Sequence, residues 1–271
     1  MGNKYKKIFI TGASTGIGRQ LAFDYGKTGA ELWLLARSES RLTTLARDIQ
    51  KAGGQAHILI CDATDEPAFL KAMGLAQEES CGFDLVIANA GWGGRMQYPG
   101  EKNIDVLNQV IDLNFRAATQ TLEFFAKFMV TARHGHLVGV SSIAGFRGAP
   151  SAAAYSATKA ALISYLESLR FSLRPFGVFV TDIRPGFVKT PMTDRNVVPM
   201  PFLMEVDKAS YKIRRAISRK RKRFTFPWQM AVLLHIIKAA PDFLYDWVAS
   251  LTFGKQAVSG RTGKAESNTP S

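Results

Sequence analysis

Six short apolar runs recur along the chain, each separated from the next by a segment long enough to be a helix. They are Lys7–Thr11, Glu31–Ala36, Ala56–Cys61, Leu85–Asn89, His136–Ser141 and Val178–Ile183. Between them lie Gly18–Gly29, Ser40–Ala52, Glu66–Glu79, Ile104–Ala132 and Ala154–Pro175. Strands joined through helix-length crossovers run parallel, and the crossovers cover both faces of the sheet. The runs are apolar almost throughout, as strands buried on both faces require. The pattern predicts an α/β fold: a doubly wound parallel sheet with helices on both faces. A chain of 271 residues with 46% apolar and 21% charged side chains can fill the core of one such sheet. No repeat or Gly/Pro/Ser-rich linker divides it. We expect one domain over 1-258, with a polar tail over 259-271 lacking fixed structure.

Thr11-Gly12-Ala13-Ser14-Thr15-Gly16-Ile17-Gly18 follows the first run and opens the first helix. Glycines there permit a tight turn and let backbone N–H groups at a helix N-terminus approach a pyrophosphate. Gly12, Ser14, Thr15, Gly16, Ile17 and Gly18 are therefore candidate cofactor-binding residues. The second run ends in Leu35-Ala36-Arg37-Ser38. A site for NAD wants an acid at this point to hold the ribose 2′-hydroxyl. Arg37 instead offers a planar fork suited to a 2′-phosphate, with Ser38 as a second donor, which favours NADPH/NADP+. An Arg37 that merely caps a strand end at the surface is the alternative.

The fifth run ends at Ser141-Ser142, and the helix after it carries Tyr155-Ser156-Ala157-Thr158-Lys159. Four residues apart on a helix, Tyr155 and Lys159 share a face. A tyrosine with a pKa near ~10 is a poor acid–base group at neutral pH, and a neighbouring ammonium favours its phenolate. Ser142, at the carboxyl end of a strand, can donate to a carbonyl oxygen where negative charge develops. Ligands of open α/β sheets bind at that edge.

Together these residues resemble the short-chain dehydrogenases/reductases of NADP-preferring type with a C-terminal extension. The likeness runs to about Pro191. It rests on Thr11-Gly12-x-x-x-Gly16-x-Gly18, Asp62, Asn89-Ala90-Gly91, Asn114, Ser142, Tyr155-x-x-x-Lys159 and Pro185-Gly186. The resemblance implies a Rossmann-like catalytic domain that moves hydride between NADPH and a carbonyl or alcohol. Tyr155 would be the general acid in reduction, Lys159 its support and a holder of the nicotinamide ribose. Ser142 would orient the carbonyl, and Asn114 would sit in a helix break and position a relay water. Asp62, with Ala63 beside it, would meet the adenine, and Asn89, Ala90 and Gly91 would line the cofactor. Val188 and Thr190, after Pro185 and Gly186, would contact the carboxamide end. The resemblance also implies a homodimer or homotetramer built on the two long helices near Ile104–Ala132 and Ala154–Pro175. The rival is a non-catalytic NADPH-binding or scaffold protein of the same fold; the presence of both Tyr155 and Lys159 weighs against it.

The same resemblance makes Pro191 to about Pro227 the segment that covers the substrate. Met192, Met200, Phe202, Leu203 and Met204 within it suit a hydrophobic ketone or 3-oxoacyl-type substrate, with core packing as the alternative. Net charge is +13, and nine cations without an acid lie between Lys208 and Arg223. Three readings stay open for that run: a solvated helix face, an anionic membrane surface, or an acidic carrier or phosphate-bearing substrate. The apolar stretches over 228-253 are interrupted by Lys238, Pro241, Asp242 and Asp246, too often for a span of ~20 apolar residues. An interfacial helix and a subunit contact are both open to them. No recognised module accompanies the charge, so no nucleic-acid partner is expected. Cys61 and Cys81 lack metal-ligand spacing and are expected as reduced thiols, with no metal bound. The start has no apolar signal segment, and Lys6 stands where a myristoylation motif wants Ser or Thr. A cytoplasmic protein is expected, with peripheral attachment to a membrane as the alternative that the basic run leaves open.

Overall fold

The computed structural model describes residues 5–96, 102–194 and 200–247. The expected tail over 259-271 and the apolar residues after 247 lie outside them. Among the described residues seven parallel strands form one sheet in the order β3-β2-β1-β4-β5-β6-β7. They are β1 (Lys7–Thr11), β2 (Glu31–Ala36), β3 (Gln55–Ile60), β4 (Leu85–Ala88), β5 (Gly135–Val140), β6 (Val178–Pro185) and β7 (Arg223–Phe226). The helices are α1 (Gly16–Gly26), α2 (Glu39–Lys51), α3 (Glu66–Ser80), α4 (Asn103–Ile111), α5 (Ala117–Ala132), α6 (Ala153–Leu173), α7 (Val206–Ser218) and α8 (Trp228–Ala239). The strand order reverses between β1 and β4, the crevice where doubly wound sheets bind ligands.

Successive residues of β1 point to opposite faces and fill two separate cores. Ile8 and Ile10 pack with Leu21, Leu32, Leu34, Leu45 and Ile213 on one side. Phe9 packs with Trp33, Phe69, Phe83, Leu122 and Phe125 on the other, its ring 4.7 Å from that of Phe125. Each such side chain contributes about 1.5–3 kcal/mol by leaving water. Local signals end the helices where the strands need them. Asp65 accepts from the Ala68 N–H to start α3, and Cys81 closes it in the left-handed region at φ 53°.

The long helix over Ile104–Ala132 is broken into α4 and α5 by a π-turn, Asp112–Arg116, so Asn114 sits in a helix break as the resemblance implied. One feature departs from the sequence expectation. The strand β7 was not expected, because its Arg-Phe-Thr-Phe alternation is hidden at the end of the basic run.

At the amino end of β5 His136 is fully buried, with Tyr5 Oη 2.7 Å from Nδ1 and Thr181 Oγ1 2.8 Å from Nε2. The Thr181 hydroxyl donates in turn to the Arg221 carbonyl at 2.6 Å. With the Tyr5 proton shared between Nδ1 and the Ile217 carbonyl, 3.2 Å from Oη, and Nε2–H donating to Thr181, this chain satisfies a neutral imidazole. Burial, helped by the Lys220 charge, lowers the His136 pKa to about 3.

Candidate active site

The glycine turn is held against β4 by side chains rather than by the sheet ladder. Asn89 Nδ2 donates to the carbonyls of Thr11 and Gly12, both at 3.1 Å, and Thr11 Oγ1 accepts from the N–H groups of Asn89 and Ala90. Gly12 has φ +66°, and a Cβ there would lie 2.7 Å from the Ala90 Cα. At Gly18 a Cβ would meet the Gly12 carbonyl oxygen at 2.3 Å, so only hydrogen lets α1 start this close to the turn. Thr15 caps α1 with no side-chain bond. The first-turn N–H groups, Gly16, Ile17 and Gly18 among them, thus have no capping side chain, and with Ser14 they form a cradle that fits a pyrophosphate.

Across the crevice, the π-turn turns Asn114 inward. It is completely buried, its Nδ2 donating to the Trp92 carbonyl at 2.8 Å and its Oδ1 accepting from the Trp92 N–H at 2.7 Å. A methyl on Gly91 would meet Asn114 Oδ1 at 3.2 Å and Lys159 Nζ at 3.5 Å, so the three sit together. Lys159 is buried and donates from Nζ to the Val140 carbonyl at 2.9 Å, with Nζ 5.7 Å from the centre of the Tyr155 ring. Ser142 follows β5 and caps the turn Ile143–Gly145, its Oγ accepting from the Ala144 N–H at 3.1 Å, and its hydroxyl is close enough to Tyr155 to favour the phenolate. The four residues expected to form the centre are therefore neighbours at the carboxyl edge of β4 and β5.

Electrostatics differ from the simple expectation of a tyrosine acidified by its lysine. Burial raises the Tyr155 pKa, and the bond from Ser142 opposes that rise. Burial also brings Lys159 down to about 8, with the carboxylate of Asp182 acting the other way. Asp182 was not singled out in the sequence. It lies buried in β6, accepting from Ser141 Oγ and from Arg184 Nε at 2.5 Å. Two charges two residues apart in an otherwise apolar run share one face of a strand, and that was the legible signal.

Pro185 ends β6, and the Gly186 N–H donates to the Phe226 carbonyl at 2.7 Å. Val188 bridges to Met204, and Thr193 Oγ1 accepts from the Thr190 N–H at 2.9 Å. A Cβ on Gly16 would lie 3.2 Å from the Thr190 methyl, so this loop reaches over the glycine turn. At the other end, Arg37 Nη1 pairs with Asp62 Oδ2 at 3.3 Å, both half-exposed, and Ala63 is buried beside them. Burial pushes the Asp62 carboxyl up, but bonds from Thr64 and the Arg37 guanidinium outweigh it and hold the pKa below the ordinary value. Next to Ser38, Ser40 and Arg41 line a shallow depression with Ser14, Arg19 and Thr44.

The basic run divides. Ala209, Ile213, Ala216 and Ile217 of α7 are buried against α1, and Ser210 Oγ donates to Asp24 Oδ2 at 2.7 Å. Lys208, Lys212, Arg215 and Arg219–Lys222 are exposed. Residues 219–222 precede β7 and so lie at the amino edge, away from Ser142. No helix among the described residues is long and apolar enough to cross a membrane. Cys61 and Cys81 are both free thiols, and among the described residues no group of side chains could hold a metal ion.

A parallel sheet with a glycine-rich first turn, and a tyrosine, lysine and serine gathered at its carboxyl edge, is the frame of a nicotinamide-dependent oxidoreductase acting on CH–OH or C=O groups. The chain belongs to the short chain dehydrogenase family, whose model matches residues 6–198. An uncharacterized oxidoreductase of Myxococcus xanthus is 41% identical over 248 residues, covering 90% of this chain and 96% of that one. A 3beta-hydroxysteroid dehydrogenase of Mediterraneibacter gnavus is 33% identical over 191 residues, 70% of this chain and 69% of its own. A short-chain dehydrogenase from Sphingobium yanoikuyae, solved in complex with NADPH, is 25% identical with a TM-score of 0.76, covering 97% of this chain and 98% of that one.

Proposed function

We propose that the chain is an NADPH-dependent carbonyl reductase acting on a hydrophobic ketone or 3-oxoacyl-type substrate. The observation that carries this reading is the meeting of Ser142, Tyr155, Lys159 and Asn114 beside the glycine turn. When bound, the reduced nicotinamide supplies the hydride that goes to the carbonyl carbon. Tyr155 gives its phenolic proton to the carbonyl oxygen as the C=O electron pair moves onto it, and Ser142 donates to the same oxygen. A pKa raised by burial keeps Tyr155 protonated, which is the state an acid needs. After the proton leaves, the buried ammonium of Lys159 and the Ser142 hydroxyl stabilise the phenolate. Asn114 holds the relay water that returns a proton by way of Lys159.

Gly12, Ser14, Thr15, Gly16, Ile17 and Gly18 take the pyrophosphate, and Arg37 and Ser38 the 2′-phosphate. Asp62 and Ala63 border the adenine. Asn89, Ala90 and Gly91 line the middle of the cofactor, with Asn89 acting through its clamp on the turn. Val188 and Thr190, after Pro185 and Gly186, meet the carboxamide. An apolar substrate is supported by the exposed Met192, Phe202 and Leu203 in the loop after β6. The family supports a homodimer or homotetramer through α5 and α6. We place the protein in the cytoplasm, with the exposed cations drawing it to an anionic membrane surface.

The test is oxidation of NADPH and of NADH against ketones from short and polar to long-chain and steroidal. Turnover with NADPH on the apolar members supports the reading. Silence across the panel with tight NADPH binding overturns the free hydrophobic ketone and favours a carrier-linked 3-oxoacyl substrate or the non-catalytic role.

A further inference from the structure

The chain leaves β7 through Pro227, whose Cδ would be 3.0 Å from a Cβ on Gly186. It then crosses the carboxyl edge of the sheet. α8 packs on β7 and on Ile143–Gly145, the turn that Ser142 caps. The chain continues through Pro241 into a helical segment over 242–247. That segment is fastened to the loop between Ser142 and Tyr155. Arg147 Nη1 donates to the Ala240 carbonyl at 2.9 Å, its Nη2 to Asp242 Oδ1 at 2.6 Å, and its guanidinium lies 4.1 Å from the centre of the Tyr245 ring. Tyr245 Oη in turn donates to the Gly148 carbonyl.

The Arg147 side chain is 18% exposed, whereas that of Asp242 is 95% exposed. The fork is thus fixed in the catalytic loop and ties the largely exposed segment over 240–245 to it. The arm over 228–247 carries Trp228, Val232, Leu233, Phe243, Leu244 and Trp247, all exposed. The loop after β6 carries Met192, Phe202 and Leu203, also exposed, and a Cβ on Gly93 would lie 3.8 Å from Met192 Cγ. Both segments thus reach the carboxyl edge that holds Ser142 and Tyr155, the arm through Ile143–Gly145 and Arg147, the loop through Thr190 and Met192.

We infer that the arm over 228–247 is the second wall of the substrate site, and that Arg147 is the positioning residue that latches it there. The wall selects elongated apolar ketones over short ones, a conclusion that rests on the reductase reading above. A bidentate guanidinium bridging a carbonyl and a carboxylate fixes orientation as a lysine cannot.

The experiment compares the wild type with Arg147→Ala, Arg147→Lys and Asp242→Asn in the full chain. It measures kcat and KM for a four-carbon and a ten-carbon 2-ketone, together with hydrogen exchange of the peptide covering 240–247. In Arg147→Ala we expect faster exchange in that peptide and a KM for the long ketone raised about tenfold. The long-to-short ratio of kcat/KM should fall by a similar factor, about 1.4 kcal/mol of lost binding. Arg147→Lys, which keeps the charge but not the fork, falls between. Faster exchange with an unchanged ratio overturns the wall, and unchanged exchange overturns the latch. Equal losses on both ketones also overturn the wall, since that is what general damage to the loop would give. If the wild type reduces neither ketone nor any in the wider panel, the reductase reading fails first. Failure of the wall alone requires an active wild type.

Discussion

Lys159 Nζ donates to the main-chain oxygen of Val140 at 2.9 Å, so the ammonium is tied to the strand that delivers Ser142 two residues later. The bond keeps a buried cation facing Tyr155 without a carboxylate in contact with it.

Two outcomes follow for the reaction. Tyr155→Phe should lower turnover to background, by about a hundredfold or more, while the dissociation constant for NADPH stays within about threefold. For the wild type, the Lys159 pKa of about 8 means that its charge is present below that pH and lost above it. The pH profile of kcat/KM should therefore fall on its alkaline side from near that value. A flat profile to pH 10 would show that Lys159 keeps its proton and that its charge does not limit the reaction.

Arg37 should separate the two cofactors. Its pairing with Asp62 is half-exposed and leaves the guanidinium able to turn to a phosphate. Arg37→Ala is expected to weaken NADPH by roughly ten- to a hundredfold, the worth of a charge-assisted pair, and NADH by less than about threefold. Fluorescence titration of both cofactors checks it, and equal losses would remove Arg37 from the phosphate site.

His136 makes the fold acid-sensitive in a defined window. Its pKa is about 3 when folded against an ordinary 6.5, so the unfolded chain takes up the proton first. Stability from this group is complete above pH 6.5 and is lost as pH falls from there toward 3, by at most about 1.4 kcal/mol per pH unit. His136→Gln keeps an amide between Tyr5 and Thr181 but cannot titrate. Urea midpoints measured from pH 7 to pH 5 should decline more steeply in the wild type than in the variant.

The exposed cations before β7 should matter at a surface and not at the active site. Replacing Arg219, Lys220, Arg221 and Lys222 by Gln is expected to cut binding to phosphatidylserine vesicles at least about tenfold, at roughly 1 kcal/mol per charge. Added salt should do the same. Turnover of a soluble ketone should hardly change. Vesicle binding indifferent to both would leave those residues as a solvated turn.

Most of the fold was legible because parallel strands buried on both faces are written as apolar runs, and six of them stand within a residue or two of their expected bounds. β7 was not legible: its two phenylalanines alternate with Arg223 and Thr225, and four residues of alternation cannot be told from the end of a charged turn. The site divided in the same way. Tyr155 and Lys159 could be paired by helix spacing alone, whereas Ser141, just after β5, and Asp182 of β6 meet only across neighbouring strands. Arg147 and Asp242 are distant in the chain, and no local pattern announces a contact of that range. Asn114 needed the π-turn to bring it inward, a distortion that ordinary helical periodicity conceals.

β7 closes one side of the sheet, and that has a bearing on how safely the protein can be made. A sheet's outermost strand offers unpaired amides to any other chain, and long flat apolar ones are templates for aggregation. This one is four residues long, opens on Arg223 directly after Lys222, and is followed at once by Pro227. A second copy trying to extend the sheet would meet like charge at one end and an imino acid at the other. The cations that precede the strand therefore disfavour edge-to-edge pairing with a second copy while the chain folds.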